Sequence, residues 1–246
     1  MRTSQIALLS AAGALVLTMM VVIAAARFNV RAIEPAQTEG FIPVPRELGE
    51  RVTREVALRD FSGLALQGPW DVNVQQGAEW SVELEHPGNI TSELNVEVRN
   101  GQLLLEWNGP QGDRRSSLGR RTPLFARVVM PRLDSVRIVG TSQTEFDGFG
   151  GERLEVHVSG AANVVGEDSR YASLDLAVSG AGRVDLREAT FTDAHVDLAG
   201  AADVELSMNG GTLSGSLAGA GNIRYRGSVA EERVDVSGFG RVRRVD

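Results

Sequence analysis

Ser159-Gly-Ala-Ala-Asn-Val164, Ser179-Gly-Ala-Gly-Arg-Val184, Ala199-Gly-Ala-Ala-Asp-Val204, Ala218-Gly-Ala-Gly-Asn-Ile223 and Ser237-Gly-Phe-Gly-Arg-Val242 are five copies of one phrase, with a weaker sixth at Val139-Gly-Thr-Ser-Gln-Thr144. Their glycines, Gly140, Gly160, Gly180, Gly200, Gly219 and Gly238, are separated by 20, 20, 20, 19 and 19 residues. That period is too short for paired-helix repeats and suits one coil of a β-solenoid. Two residues before the glycines stand Ile138, Val158, Val178, Leu198, Leu217 and Val236, and four before stand Val136, Val156, Leu176, Val196, Gly215 and Val234. The positions between them, such as His157, Asp197 and Asp235, are mostly polar, which is the period-two alternation of a strand with one buried face. Each repeat therefore reaches its glycine as a strand.

At the glycine the chain has to turn, and a residue without Cβ takes positive φ at no steric cost. Apolar residues then resume at Val164, Val184, Val204, Ile223 and Val242, followed by Leu186, Leu206 and Tyr225, which gives a second strand per repeat. About ten residues per half-coil predicts a two-sheeted, flattened β-helix or β-roll of about 20 residues per coil, its valines and leucines stacked in columns about 4.8 Å apart. A leucine-rich repeat has a similar length. It needs a recurrent Asn or Cys, whereas the third position after the glycine reads Gln143, Asn163, Arg183, Asp203, Asn222 and Arg241. Arg241, Arg243 and Arg244 in the last copy are expected to blunt an open sheet edge.

Upstream, strands are predicted at Val56/Leu58, Val72/Val74, Trp80/Val82/Leu84, Leu94/Val96/Val98 and Leu103/Leu105/Trp107, with turns at Gln76-Gly77 and Asn100-Gly101. The fold class is all-β. Residues 51–130 form the non-repetitive part of the head, as opening coils or as a capping sheet, and residues 131–246 form the glycine-punctuated repeats.

Ahead of the head domain, residues 6–26 carry no charge, and this 21-residue stretch in a helix covers about 30 Å, the thickness of a bilayer core. Ala24-Ala25-Ala26 also offers a small-residue cleavage site. Residues 1–26 are thus a transmembrane anchor or a removed signal peptide, and both place the domain outside the cytoplasm, in the periplasm or beyond. Residues 27–50, with Pro35, Pro43 and Pro45, read as a tether.

Composition removes several function classes. The chain has 246 residues, a net charge of −7 and a pI near 5.1, so a nucleic-acid partner is excluded for want of a basic face. Without cysteine there is no thiolate metal site or thiol nucleophile, and without lysine no Schiff base and no P-loop.

These residues resemble a known family, the head GIN domain of auto-transporter adhesins. The resemblance rests on Phe61-Ser-Gly-Leu64, Gly68-Pro-Trp-Asp-Val72, Gln76-Gly77, Val98-Arg-Asn-Gly-Gln-Leu-Leu104, Met130-Pro-Arg-Leu-Asp-Ser-Val136 and the glycine repeats to Ile223, in that order. It implies an exported β-solenoid shaped like the pectin lyases without their catalytic residues, acting in adhesion at the cell surface. The chain lacks the heptad stalk and β-barrel pattern of a true autotransporter.

Candidate chemistry is sparse. Glu155 and Asp175, and Asp185 and Glu205, occupy equivalent positions in adjacent repeats and could share a proton or bind calcium, or be solvated surface charge. His157 and His195 fall in different columns, which disfavours a metal pair. Gly148-Phe-Gly-Gly151 and Gly219-Ala-Gly221 are read as turns rather than phosphate loops, and Ser159, Ser179 and Ser237 as turn residues rather than nucleophiles. No cofactor is expected. The polar stretch 108–122 carries Arg114, Arg115, Arg120 and Arg121, a basic loop on an acidic protein suited to lipopolysaccharide phosphate, an acidic glycan or another envelope component. The sequence thus predicts a non-catalytic envelope binding or scaffold protein. The alternatives are a polysaccharide-active enzyme and a purely structural envelope protein.

Overall fold

The computed structural model describes residues 49–109 and 124–245. The expected anchor at residues 6–26, most of the tether and the four loop arginines lie outside the described residues. Among the described residues no helix is long and apolar enough to cross a membrane.

The strands are β1 (Arg51–Glu55), β2 (Gly63–Gln67), β3 (Trp70–Gln76), β4 (Ser81–Pro87), β5 (Leu94–Arg99), β6 (Gln102–Trp107), β7 (Leu124–Met130), β8 (Ser135–Asp147), β9 (Gly150–Glu167) and β10 (Ser169–Arg244). A single 3-10 turn, Gly88–Glu93, joins β4 to β5. The strand expected at Val56/Leu58 ends one residue earlier, at Glu55, and both side chains pack half-buried against the core.

Parallel, in-register pairing dominates. Val136 faces Val156 and Val156 faces Leu176, Gly140 faces Gly160, and Gly160 faces Gly180, so the chain returns onto itself every 20 residues. Beyond Gly180 the return continues: a Cβ on Gly200 would meet the Gly180 carbonyl oxygen, one on Gly219 that of Gly200, and one on Gly238 that of Gly219. The pairing runs unbroken through each glycine, so the corner is a bend inside the ladder rather than a tight reversal. Backbone N–H and C=O groups at the bend thereby keep partners.

The upstream strands extend the same ladder. β2 and β3 lie parallel to the two halves of β8, with Gly63 opposite Ser135 and Trp70 opposite Ser142. On their other side β6 runs parallel to β2 and β7 parallel to β3. Antiparallel strands close this end: β5 on β6 through the Asn100-Gly101 hairpin, β4 on β7, and β1 on β4. The φ values of 52° and 74° at Asn100 and Gly101 are those of the turn that matches strand twist in two-residue hairpins.

The columns read from the sequence are the core. Val136, Val156, Leu176 and Val196 are wholly buried, as are Val164, Val204, Leu186 and Leu206. Each such side chain contributes about 1.5–3 kcal/mol by leaving water. The repeats that begin at Gly140, Gly160 and Gly180 differ in one feature from the two-strand expectation. Leu174, Leu176 and Val178 are buried in steps of two, the same phase resumes at Val184 and Leu186 past the half-buried corner, and the buried positions then skip to Ala189 and Phe191 and skip again to Ala194. A step of three moves the chain onto a new face, so a short third buried run follows the second strand. It carries Phe149, then Ser169 and Tyr171, then Ala189 and Phe191; Tyr171 and Phe191 stack at 6.2 Å and 11°, and the Tyr171 hydroxyl donates to the Leu133 carbonyl at 2.9 Å.

Candidate functional site

The corner glycines form one file, and the structure adds a member that the sequence reading left out. Gly68 joins β2 to β3 and stands opposite Gly140, with φ values of 119° and 104°. From Gly160 to Gly238 φ lies between 130° and 138°, and each Cβ would lie 2.1–2.2 Å from the carbonyl oxygen of the glycine one repeat earlier. Both backbone conformation and space therefore demand glycine. The signal for Gly68 was present: Leu64, Leu66, Gly68, Val72 and Val74 carry the same spacing as Val136, Ile138, Gly140, Thr144 and Phe146.

β6 ends at Trp107 and β7 begins at Leu124, with residues 108–123 between them in the sequence. That stretch contains Arg114, Arg115, Arg120 and Arg121, which lie outside the described residues.

Both stacked acid pairs come together as the spacing predicts, and both are already occupied by arginine. Asp175 faces Glu155 in register, and Arg153 spans them, its Nε 3.0 Å from Glu155 and its Nη2 2.7 Å from Asp175. Asp185 takes a two-pronged contact from Arg187, at 2.7 Å to each oxygen. Glu205 receives Arg183 at 3.0 Å, Arg187 at 3.2 Å and Arg224 at 2.8 Å, and its side chain is only 12% exposed. The hydrogen bond from Arg187, aided by its charge and that of Arg183, holds the Asp185 carboxyl below the usual carboxylate range against the opposing effect of burial. In each pair an arginine bridges the two acids, Arg153 in the first and both Arg183 and Arg187 in the second. Among the described residues no cluster of three or more His, Asp or Glu is arranged to hold a metal ion.

The two histidines are separated as expected. His157 lies opposite Arg137 and Ala177. His195 makes contacts that sequence reasoning missed: Nδ1 is 3.1 Å from Ser214 Oγ and Nε2 is 3.1 Å from Asp197 Oδ2, while Ser216 donates to Asp197 at 2.7 Å. The Ser216 hydrogen bond is the main reason the Asp197 carboxyl is lowered. Ser214 and His195 share a column 19 residues apart, a relationship readable in the glycine register once that register is trusted through its shorter repeats. Two shallow grooves of about 280 Å³ flank this chain of contacts, one lined by Arg137, His157, Ser159 and Asp197, the other by Arg153, Asp175, His195 and Ser214. Ser159, Ser179 and Ser237 flank the corner as expected. Gly148 leads into β9 and Gly219 and Gly221 lie within β10, so neither glycine pair opens a helix.

Residues 60–187 and 176–244 match the family model described as "Putative auto-transporter adhesin, head GIN domain". The chain belongs to this family. A solved structure described as a "putative adhesin" from Bacteroides fragilis NCTC 9343 is similar at 15% identity and a TM-score of 0.61, over 80% of this chain and 97% of that one. Another, from Parabacteroides merdae ATCC 43184, shares 17% identity over 80% of this chain and 97% of that one, with a TM-score of 0.47. At this identity the first likeness speaks for the fold alone, and the second carries no argument. Among curated proteins none matches the chain. The head GIN domain here thus presents arginine-clamped acids and shallow grooves on its outward faces.

Proposed function

We propose that this head GIN domain is a β-solenoid scaffold of the bacterial cell envelope that binds its partner without transforming it, held outside the cytoplasm by residues 1–26 as an anchor, or released when they are cleaved. The observation that carries this reading is the arginine occupancy of both stacked acid pairs. Glycan cleavage of the two-carboxylate type needs one acid free to give a proton and another free to attack or to activate water. Arg153 ion-pairs with both Glu155 and Asp175, and Arg183 and Arg187 pair with both Asp185 and Glu205, the latter also met by Arg224. Adhesion is the role the family description suggests, and the partner is an anionic glycan, lipopolysaccharide or envelope protein met by Arg114, Arg115, Arg120 and Arg121.

The polysaccharide-active alternative draws on one observation, the hydrogen-bonded Ser214–His195–Asp197 chain. A panel of acidic and neutral glycans incubated with the full chain separates the two. Retention of an acidic glycan without bond cleavage, lost when the four loop arginines are changed to glutamate, supports the binding reading. Cleavage that disappears in Ser214→Ala or Asp175→Asn overturns it. A purely structural protein binds none of the panel, and its envelope partners are indifferent to the arginine changes.

A further inference from the structure

Among the described residues nothing covers the apolar columns at the last layer of the stack. One layer in, Leu217 and Ile223 are 1% and 0% exposed, whereas in the last layer Val236 is 46% exposed, Phe239 95%, and Val234 and Val242 are only half-buried. The inner edge of this layer is paired, with the Val245 N–H donating to the Tyr225 carbonyl at 2.8 Å and Gly238 seated on Gly219. Among the described residues nothing pairs with its outer edge.

The charges of this layer are divided by its corner. Glu231, Glu232 and Asp235 precede Gly238, and Arg241, Arg243 and Arg244 follow it. The spacing is symmetric. Asp235 and Arg241 stand three residues before and after the glycine, Val234 and Val242 four, Glu232 and Arg244 six. Because the burial alternation keeps its parity through the corner, residues at equal distance on either side point to the same face.

A two-fold axis passing through the Gly238 corner, perpendicular to the stacking direction, lays the strand before the glycine of one copy antiparallel on the strand after the glycine of the other. In an antiparallel pair, directly opposite residues share a face and interact most strongly. Here those pairs are Asp235 with Arg241, Val234 with Val242, and Glu232 with Arg244, each made twice. Arg233 falls opposite Arg243, but its guanidinium is already held by Glu231, and Arg243 lies diagonally between the acids Glu231 and Asp235 of the other copy. Arg241 and Arg243 have no ion-pair partner of their own among the described residues. A row of arginines blunts an edge only against an approach that sets it on its own kind; this two-fold sets it on carboxylates. Closed two-fold symmetry also ends the growth that an open sheet edge otherwise invites.

We propose that the last layer, Val229 to Arg244, is a self-complementary interface that joins two copies of this chain end to end. The test is a charge exchange on the full chain in detergent micelles, with oligomeric state measured by analytical ultracentrifugation and folding by circular dichroism. Wild type is expected to be a dimer. Asp235→Arg alone and Arg241→Asp alone each set like charges opposite one another twice, and each is expected to weaken association by at least about tenfold with an unchanged spectrum. An equal mixture of the two single variants restores opposite charges at both positions and is expected to form heterodimers. Monomeric wild type at every accessible concentration overturns the proposal. So do single variants that associate as tightly as wild type, and a mixture that remains monomeric.

Discussion

Gly180 sits over Gly160 so closely that a Cβ on Gly180 would lie 2.1 Å from the Gly160 carbonyl oxygen, and its φ of 138° is a conformation that side chains rarely adopt. Each repeat rests on the previous one at this contact, so a methyl group here has to push two layers apart or force the corner out of its bend.

Gly180→Ala is therefore expected to cost about 3 kcal/mol or more, combining backbone strain with overpacking against main chain. Gly101→Ala is the control, since Gly101 also has positive φ, 74°, but has nothing within 4 Å of its would-be Cβ. It is expected to cost about 1–2 kcal/mol, the penalty of left-handed backbone alone. Urea midpoints of the two variants read the difference, and equal losses would show that stacking at the corner does not limit stability.

Glu205 accepts three guanidiniums while being largely shielded from water. Glu205→Gln leaves Arg183, Arg187 and Arg224 crowded around a neutral amide and is expected to destabilise the domain by about 2 kcal/mol. The same change at Glu97, whose pair with Arg99 is mostly solvent-exposed, is expected to alter stability by less than about 0.5 kcal/mol. Thermal or urea unfolding of both variants in low and high salt distinguishes them, because salt screens the exposed pair far more than the shielded one.

The hydrogen bond and charge of Arg187 hold the Asp185 carboxyl below its ordinary value of 3.8, so the folded state binds this proton less readily than the unfolded chain does. The stabilisation from Asp185 is then fully present above the unfolded value and is lost as pH falls through the folded one. Stability measured from pH 6 downward is expected to decline from about pH 4 and below. Asp185→Asn should be less stable at neutral pH and show a shallower decline. A parallel decline in the two proteins would mean that other carboxylates govern acid unfolding.

The sequence announced the period because its glycine column is nearly invariant for a steric reason, and the apolar columns because Val, Ile and Leu recur at fixed distances from it. Gly68 was hidden by residues 77–134, which separate β3 from β8 in sequence although the β2–β3 and β8 segments are adjacent in space. The third buried run escaped detection because a period-two template loses its phase wherever the chain steps by three, as between Leu186 and Ala189. Its residues are too varied, from Ser169 to Phe149, to declare a column. Stacked acids were legible from spacing, but their arginines were not. Arg153 belongs to the repeat of Glu155 and reaches Asp175 in the next, and such reach depends on side-chain direction rather than on register.

Tyr171 lies at one of those phase slips, and its hydroxyl ties the third run to Leu133 at the start of the repeat array. Burial, and secondarily the nearby charge of Asp134, push its ionisation well above the ordinary value of 10; Tyr225 is also raised, by burial and then by its hydrogen bond to Glu232. These are the chain's two tyrosines. For a phenol raised on folding, the stabilisation is complete below the unfolded value and disappears as pH rises through the folded one. Tyrosinate absorbance is therefore expected to stay low past pH 10 and then to rise together with loss of β-sheet circular dichroism, since the Tyr171 proton leaves only when its site opens. Tyr171→Phe removes the donor to Leu133, leaves that carbonyl unpaired in the interior, and is expected to cost about 1–3 kcal/mol while the ring keeps its stacking on Phe191. Absorbance that rises near pH 10 with the sheet signal intact, or a Tyr171→Phe variant as stable as wild type, would show that this hydroxyl does not bind the third run to the array.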